Sequence, residues 1–413
     1  MKSLRRPEVV HECWEVLAIL VVGAVGYLPG LGSFATTLDE RIYFDVARQM
    51  AVGGHWLVPR YTGEADIIAG AVFLEKPPLV FWLQALSVEV LGATPFAVRL
   101  PSVVVSLACA VVVHRIGSRW YGRRAGFAAA LAFLATPAIY WYGNGGRTAT
   151  TDIFLTLFGT LFVWWLWRAR TDSRYLVYAG VAGGLAALSK QAAAGVFLVV
   201  ALPLLVGLVS RDRVVDLAKG AAAGLAVVLP WNLFAYLSRP ETYLRQMVAE
   251  QAVGRLGTDH APLHGELGTM VGPFNPFYAL QFPSYLGPLL PLTAVGAALA
   301  VRADRADADA DPASSVDAAD RRPGLVLCWW LAAPIALFTV ATSSTWIHYV
   351  QGSVVPAAVL AGYAVARSTE FAEDLLRSRT SLGGVPYGLY AGCVVLVAVA
   401  AFVRYSPHQN AFV

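Results

Sequence analysis

Charge is scarce in this chain. Only 14% of its 413 residues are Asp, Glu, Lys or Arg, against 57% hydrophobic. A soluble domain of this size could not hide so much apolar surface, so the bilayer must act as solvent for much of the chain. Lysine is rarer still, at Lys2, Lys76, Lys190 and Lys219 only, whereas arginine is abundant. The formal net charge of +4 is carried by basic residues scattered among apolar runs, which excludes a nucleic-acid footprint. There are only four cysteines, Cys13, Cys109, Cys328 and Cys393, with no Cys-x-x-Cys spacing. Each lies in or beside a different apolar run, so they read as small buried hydrophobes rather than disulfides or metal ligands. Lys2, Arg5 and Arg6 precede the apolar run 16–31, but no convincing small-x-small cleavage site follows, and the run reads as an uncleaved first helix.

A bilayer crossing takes about 20 mostly apolar residues. About eleven candidate spans meet or approach this: 14–31, 98–117, 125–142, 153–168, 175–189, 191–209, 218–237, 284–301, 324–342, 346–366 and 386–403. The fold class expected is therefore an all-α polytopic membrane protein. With the N-terminus in the cytoplasm, every inside turn carries a cluster of arginines, such as Arg119, Arg123 and Arg124, or Arg168, Arg170 and Arg174. The short outside turns carry Arg147 and Lys190. That is the positive-inside pattern, expected in a cell (plasma) membrane. It also decides the apolar segment 78–91. If that segment spanned, every later arginine cluster would face out, so it is expected as a helix at the outer interface. Four regions follow: 1–97, the first span and an external loop with interfacial helices; 98–237, spans two to seven; 238–283, a second external loop; and 284–413, the remaining spans, with a disordered cytoplasmic linker at 302–323.

The reactive residue types fall in the outside segments. Asp39 and Glu40 follow the first span, and Thr37 and Glu40 have capping-box spacing, so a plain helix cap is one reading. Glu75 and Lys76 precede the double proline at 77 and 78, and either start the interfacial helix or present a carboxylate and an ammonium to a headgroup. A Gly-rich turn from Gly143 runs through Arg147 to Asp152. Ionisable groups beside apolar spans are costly there, and functional candidates for that reason. Lys190 interrupts about 35 apolar residues, and reads as a snorkelling lysine or as a site cation. The second outer loop holds Arg255, His260 and His264, but Pro262 between the histidines argues against one metal-binding helix face. His348 and Tyr349 sit in an aromatic cluster that an interfacial belt also explains.

Taken in order, these segments resemble the GT-C glycosyltransferases of the protein O-mannosyltransferase and lipid A aminoarabinose transferase type. Asp39-Glu40 with Tyr43 is similar to the family's first acidic motif. Gly54-His55-Trp56-Leu57-Val58-Pro59 resembles its G-x-W-x-x-P stretch. Phe73-Leu74-Glu75-Lys76-Pro77-Pro78 with Trp82 resembles its EKPP segment, and Phe96-Ala97-Val98-Arg99 its FAVR. Arg147 with Thr151-Asp152 is similar to the second acidic motif, Gly184 to Lys190 to its G…L-x-K element, and Pro230-Trp231 and Arg255 have counterparts. His348-Tyr349 with Pro356-Ala357 resembles a late Y…P-x-P-A helix. The family's LTKG reads Leu188-Ser189-Lys190-Gln191 here, and residues 64–72 read as an insertion.

The resemblance implies the GT-C fold and transfer of a sugar from a polyprenyl or dolichyl phosphate, with inversion, to a hydroxyl of a lipid, glycan or protein acceptor. It implies Asp39 as general base and Asp152 as second acid. Glu40, Glu75, Lys76, Arg147, Lys190, Arg255, His348 and Tyr349 become substrate-binding residues. No cofactor is required by this chemistry; a divalent metal is left open, with His260 and His264 as its weak candidate ligands. The partners expected are the lipid-linked donor, the acceptor and membrane lipids, with no nucleic acid. The alternative is a transporter or flippase of lipid-linked sugars. Transporters tend to show internal repeats and midplane charges, and neither is detected here.

Overall fold

The computed structural model describes residues 6–33, 37–62, 72–140, 142–253, 275–310, 323–341 and 346–379. Among them the chain is helical, with no strand beyond an isolated antiparallel bridge between Arg60 and Val72. The helices are α1 (Arg6–Tyr27), α2 (Leu38–Gly53), α3 (Leu79–Leu91), α4 (Pro95–Tyr121), α5 (Arg123–Ala135), the single turn α6 (Pro137–Tyr140), α7 (Asp152–Arg168), α8 (Tyr175–Ser189), α9 (Gln191–Leu208) and α10 (Val214–Ser238). Then come the turn α11 (Pro240–Tyr243), a π-helical segment Leu244–Val253, α12 (Phe277–Leu286), α13 (Leu289–Ala310), α14 (Pro323–Ala341), a 3-10 turn Ile347–Ser353 and α15 (Val354–Arg379).

Five described helices are long and apolar enough to cross a bilayer: α4, α9, α10, α14 and α15, each taken with its flanking turn where it has one. A sixth is the pair α12–α13 if it counts as one span. The core is built from α4, α5, α7 and α15, and residues Val354 to Leu360 are almost wholly enclosed. Lipid tails give no hydrophobic drive for helix association, so small residues carry it by close approach. The α8–α10 contact is the clearest case. Gly180 and Gly184 on α8 face Gly220 and Gly224 on α10, and a Cβ at Gly180 would lie 1.8 Å from the Gly220 carbonyl oxygen.

The expected interfacial helix 78–91 is α3, 13 residues long. At 1.5 Å per residue it is about 20 Å, short of the roughly 30 Å hydrocarbon core. It packs on α2 and α4. Two helices connect α1 to α4, therefore, and neither lengthens the bundle. Helix α2 starts as its capping spacing indicates: Thr37 Oγ1 accepts from the Glu40 N–H at 3.3 Å. It stops at Gly54, which takes the left-handed conformation at φ 72° and donates to the Met50 carbonyl.

Three expectations change. The span 284–301 is not one straight helix: α12 and α13 meet at 102°, at Gly287 with φ 58°. Residues 302–310 of the expected linker continue α13 as helix. The span expected at 346–366 opens as a 3-10 turn and becomes α-helical only at Val354, running on to Arg379. The candidate span 386–403 and the rest of the linker lie outside the described residues.

Candidate active site

Polar groups gather at the end of the bundle formed by the C-termini of α1 and α8 and the N-termini of α4 and α7. Asp152, 3% exposed, is the first residue of α7. It accepts from Lys190 Nζ at 2.7 Å and from Asn144 Nδ2 at 3.2 Å. Lys190 sits at the junction of α8 and α9, where its extended backbone separates two helices. Its ammonium also lies 5.4 Å from the Tyr349 ring centre, and His348 packs edge-on against that ring. Gln351, from the same 3-10 turn, donates Nε2 to the Asn144 carbonyl at 3.2 Å. Three segments far apart in sequence, 144–152, Lys190 and 348–351, thus converge on one buried ion pair. Burial disfavours the Asp152 charge, and the Lys190 ammonium with two hydrogen bonds offsets that cost.

A second polar centre surrounds Glu75 and Lys76. Lys76, 6% exposed, donates to Gln251 Oε1 at 2.5 Å, and Gln251 Nε2 donates to Glu75 at 3.3 Å. Gln246, one helical turn earlier, accepts from the Leu74 N–H at 2.6 Å and donates to the Val72 carbonyl at 3.1 Å. The π-helical segment therefore grips the strand-like stretch before the double proline by backbone and side chain. On its other side this stretch is held by the Phe73 N–H, which donates to the Pro59 carbonyl. Trp82 donates its indole N–H to the Trp56 carbonyl, and Trp231 to that of Leu57. Leu74 packs with Leu188 and Trp231 in one apolar cluster, which sets the Glu75–Lys76 centre beside the helix end that carries Lys190.

Asp39 is the second residue of α2 and is exposed. Among the described residues its carboxylate has no partner. It stands on the first turn of α2, whose start lies against the turn preceding Asp152: a Cβ at Gly143 would come 2.8 Å from Thr37 Cγ2. Its neighbour Glu40 has a different surrounding. Arg99 grips it with Nε at 2.6 Å and Nη2 at 2.8 Å, and the Ala149 N–H donates to the same carboxylate at 2.8 Å. Arg99 also donates to the carbonyls of Leu31 and Ser33. Arg147 is engaged too: Nε donates to the Tyr27 carbonyl, Nη2 to that of Pro29 at 2.5 Å, and the guanidinium lies over the Tyr140 ring. Glu40 and Arg147, expected to contact substrate, are thus built into the frame. They tie the end of α1 and the start of α2 to the Gly-rich turn. Nothing in the sequence separates Glu40 from Asp39, since the two share one motif and differ only in which helix face they occupy.

Arg255, His260 and His264 lie outside the described residues. Among the described residues no three His, Cys, Asp or Glu side chains gather as a metal site. Gln246, Gln251, Asn144 and Gln351 were missed from the sequence. Neutral amides in apolar surroundings leave no charge or spacing signal.

Residues 75–234 match the family described as dolichyl-phosphate-mannose-protein mannosyltransferase. This stretch takes in Glu75, Lys76, Asp152 and Lys190. The fold is similar to that of ArnT from Cupriavidus metallidurans, solved bound to undecaprenyl phosphate, with a TM-score of 0.66 at 22% identity, covering 95% of this chain and 70% of that one. The chain has the GT-C fold. A second GT-C likeness is to the archaeal oligosaccharyltransferase AglB from Archaeoglobus fulgidus, with a TM-score of 0.60 at 13% identity over 97% of this chain and 56% of that one. At these identities the two structures speak for the fold alone. Among curated sequences, the undecaprenyl phosphate-alpha-4-amino-4-deoxy-L-arabinose arabinosyl transferase of Aeromonas hydrophila is 26% identical over 380 residues, 88% of this chain. The protein of the same name from Pseudomonas savastanoi is 28% identical over 267 residues, 61% of this chain. This GT-C chain spans 62% and 47% of those two relatives' own lengths, less than two thirds of either.

Proposed function

We propose that this GT-C chain is an inverting glycosyltransferase. It moves a sugar from a polyprenyl-phosphate donor to a hydroxyl of a lipid, glycan or protein acceptor on the outer face of the membrane. The observation that carries the reading is the placement of two lysines, each tethered beside a carboxylate, on segments joined by one apolar cluster: Lys190 on Asp152 and Lys76 by Glu75 through Gln251. The names of the two curated relatives described above, both undecaprenyl phosphate-alpha-4-amino-4-deoxy-L-arabinose arabinosyl transferases, point to the same donor class.

The chemistry fits. An acceptor hydroxyl titrates far above neutral pH and needs a base to take its proton as it attacks the anomeric carbon. Asp39 is assigned that role: it is accessible, partner-free among the described residues and next to the Asp152 turn. The departing lipid phosphate is a good leaving group and needs cations rather than a proton. Lys76 and Lys190 supply these, and Arg255 is proposed to join them. Asp152 orients hydroxyls and holds Lys190 in place; His348 and Tyr349 wall that side. The apolar helices at the bundle's periphery would receive the lipid tail, with α3 at the mouth of that groove.

The test is transfer by the purified full chain in lipid nanodiscs, with undecaprenyl-phosphate-linked sugars as donors and total membrane extract as acceptor, read by mass spectrometry. A product carrying a new sugar, lost in Asp39→Asn, is the expected result. Donor translocation across sealed vesicles with no sugar transfer would overturn it in favour of a transporter.

A further inference from the structure

The elbow between α12 and α13 is not explained by the roles above. Irregular backbone at membrane depth is tolerated where it is buried in protein or lines a cavity. Discontinuous helices in membrane proteins are a recurring way to build a polar site. The residue this elbow presents is Tyr285. Its side chain is wholly buried, and among the described residues its hydroxyl has no hydrogen-bond partner. Its ring packs edge-on against Tyr142, two residues before Asn144, at 4.8 Å between centres. The Asp152 carboxylate lies within electrostatic reach of the phenol. Helix α12 also packs against the 3-10 turn that carries Gln351. Gln351 is 2% exposed and spends its Nε2 on the Asn144 carbonyl, while its Oε1 has no partner among the described residues.

A buried donor and a buried acceptor left unpaired beside the same ion pair are expensive, and native structures retain such groups where a ligand or water completes them. The pair has the complement of a hydroxyl group, which donates and accepts at once. Neither a hydrocarbon tail nor a bare phosphate uses both, and the phosphate already has the lysines. We propose that Tyr285 and Gln351 are specificity-determining residues for the transferred sugar: the Tyr285 hydroxyl donates to, and Gln351 Oε1 accepts from, hydroxyls of the sugar held beside Asp152. This rests on the donor reading given under the proposed function. Sites built to hydrogen-bond a hydroxyl reject ligands that lack it, because their own groups are then left unpaired.

The experiment compares binding of undecaprenyl phosphate with binding of undecaprenyl-phosphate-linked mannose and undecaprenyl-phosphate-linked 4-amino-4-deoxy-arabinose, on the full chain in nanodiscs. The wild type is expected to prefer at least one sugar-loaded lipid over the bare one. Tyr285→Phe keeps the ring and its contact with Tyr142 and removes only the hydroxyl. Gln351→Met approaches the same subsite from another element. Each is expected to lower the preference for the sugar-loaded lipid about tenfold, with affinity for undecaprenyl phosphate unchanged. A preference that survives in both variants overturns the assignment, as does an equal loss for loaded and bare lipid, which would place both residues in the frame. A wild type that binds all three lipids equally overturns the sugar subsite alone. One that binds none of them overturns the donor reading and this inference together.

Discussion

At the scale of single residues, adjacent acids in this chain have opposite surroundings. Asp39 is exposed and Glu40 is 1% exposed, held by both arms of Arg99 and by a backbone N–H. Removing one partner of a buried pair strands the other charge, at a cost of about 3–5 kcal/mol. Glu40→Gln is therefore expected to lower the melting temperature of the purified protein markedly and to take activity down with it. Asp39→Asn is expected to melt like the wild type and to lose transfer. If the two variants exchanged these phenotypes, the base would be Glu40. Lys190→Met belongs at the same scale. It leaves Asp152 buried without its cation, so it should lower both stability and donor binding, and Lys190→Arg should recover stability better than donor binding, since a guanidinium fork does not replace a point ammonium. Both are read by thermal unfolding alongside undecaprenyl phosphate affinity.

At the scale of elements, the legible parts were those with a local signature. The start of α2 was readable from Thr37 and Glu40, and its end from Gly53-Gly54, because capping is a short-range matter. Helix α3 was readable as a short helix from its apolar run after the double proline; that it lies at the interface rests on the arginines of later turns and is proposed, not observed. The break between α12 and α13 was not read, although Gly287-Pro288 is a turn signal. The surrounding apolar run masked it, since hydropathy averages over the bend. The π-helical clamp on residues 72–76 was also invisible: Gln246 and Gln251 are ordinary polar residues until the chain brings them about 170 positions back onto Leu74 and Lys76. Gln246→Leu would leave the Leu74 N–H and Val72 carbonyl without their partner. The expected outcome is faster proteolytic cleavage within residues 57–76 and weaker donor binding, with the bundle's melting temperature little changed. The contact between α8 and α10 offers a contrast. Gly180→Leu would drive a side chain into the Gly220 backbone, which has no side chain to move aside, and should reduce the yield of folded protein several-fold in size-exclusion profiles.

At the scale of the whole molecule, the arginine-rich turns and the site lie at opposite ends of the bundle, although Arg99 and Arg147 brace the site end itself. Glu15 pairs with Arg123, Arg124 with Glu373, and Arg213 donates to the carbonyls of Ala169 and Arg170. All of these lie at the ends of α4, α7 and α15 remote from Asp152. If the arginine-rich turns face the cytoplasm, as the positive-inside rule has it, then Asp39, Glu75, Lys76, Asp152 and Lys190 face outside, which is the orientation we propose. The consequence can be tested with single cysteines in a chain whose four native cysteines are replaced by serine or alanine. Asp152 is too buried to serve as a reporter. Asp39 is exposed at the site end, and the Arg174 side chain is 84% exposed at the other. In intact cells a membrane-impermeant maleimide is expected to label Asp39→Cys and to spare Arg174→Cys until the membrane is opened. The reverse pattern would turn the protein over and place its lysines on the cytoplasmic side. Labelling of both in intact cells would require an odd number of crossings to be gained or lost between residues 39 and 174, and would overturn this topology.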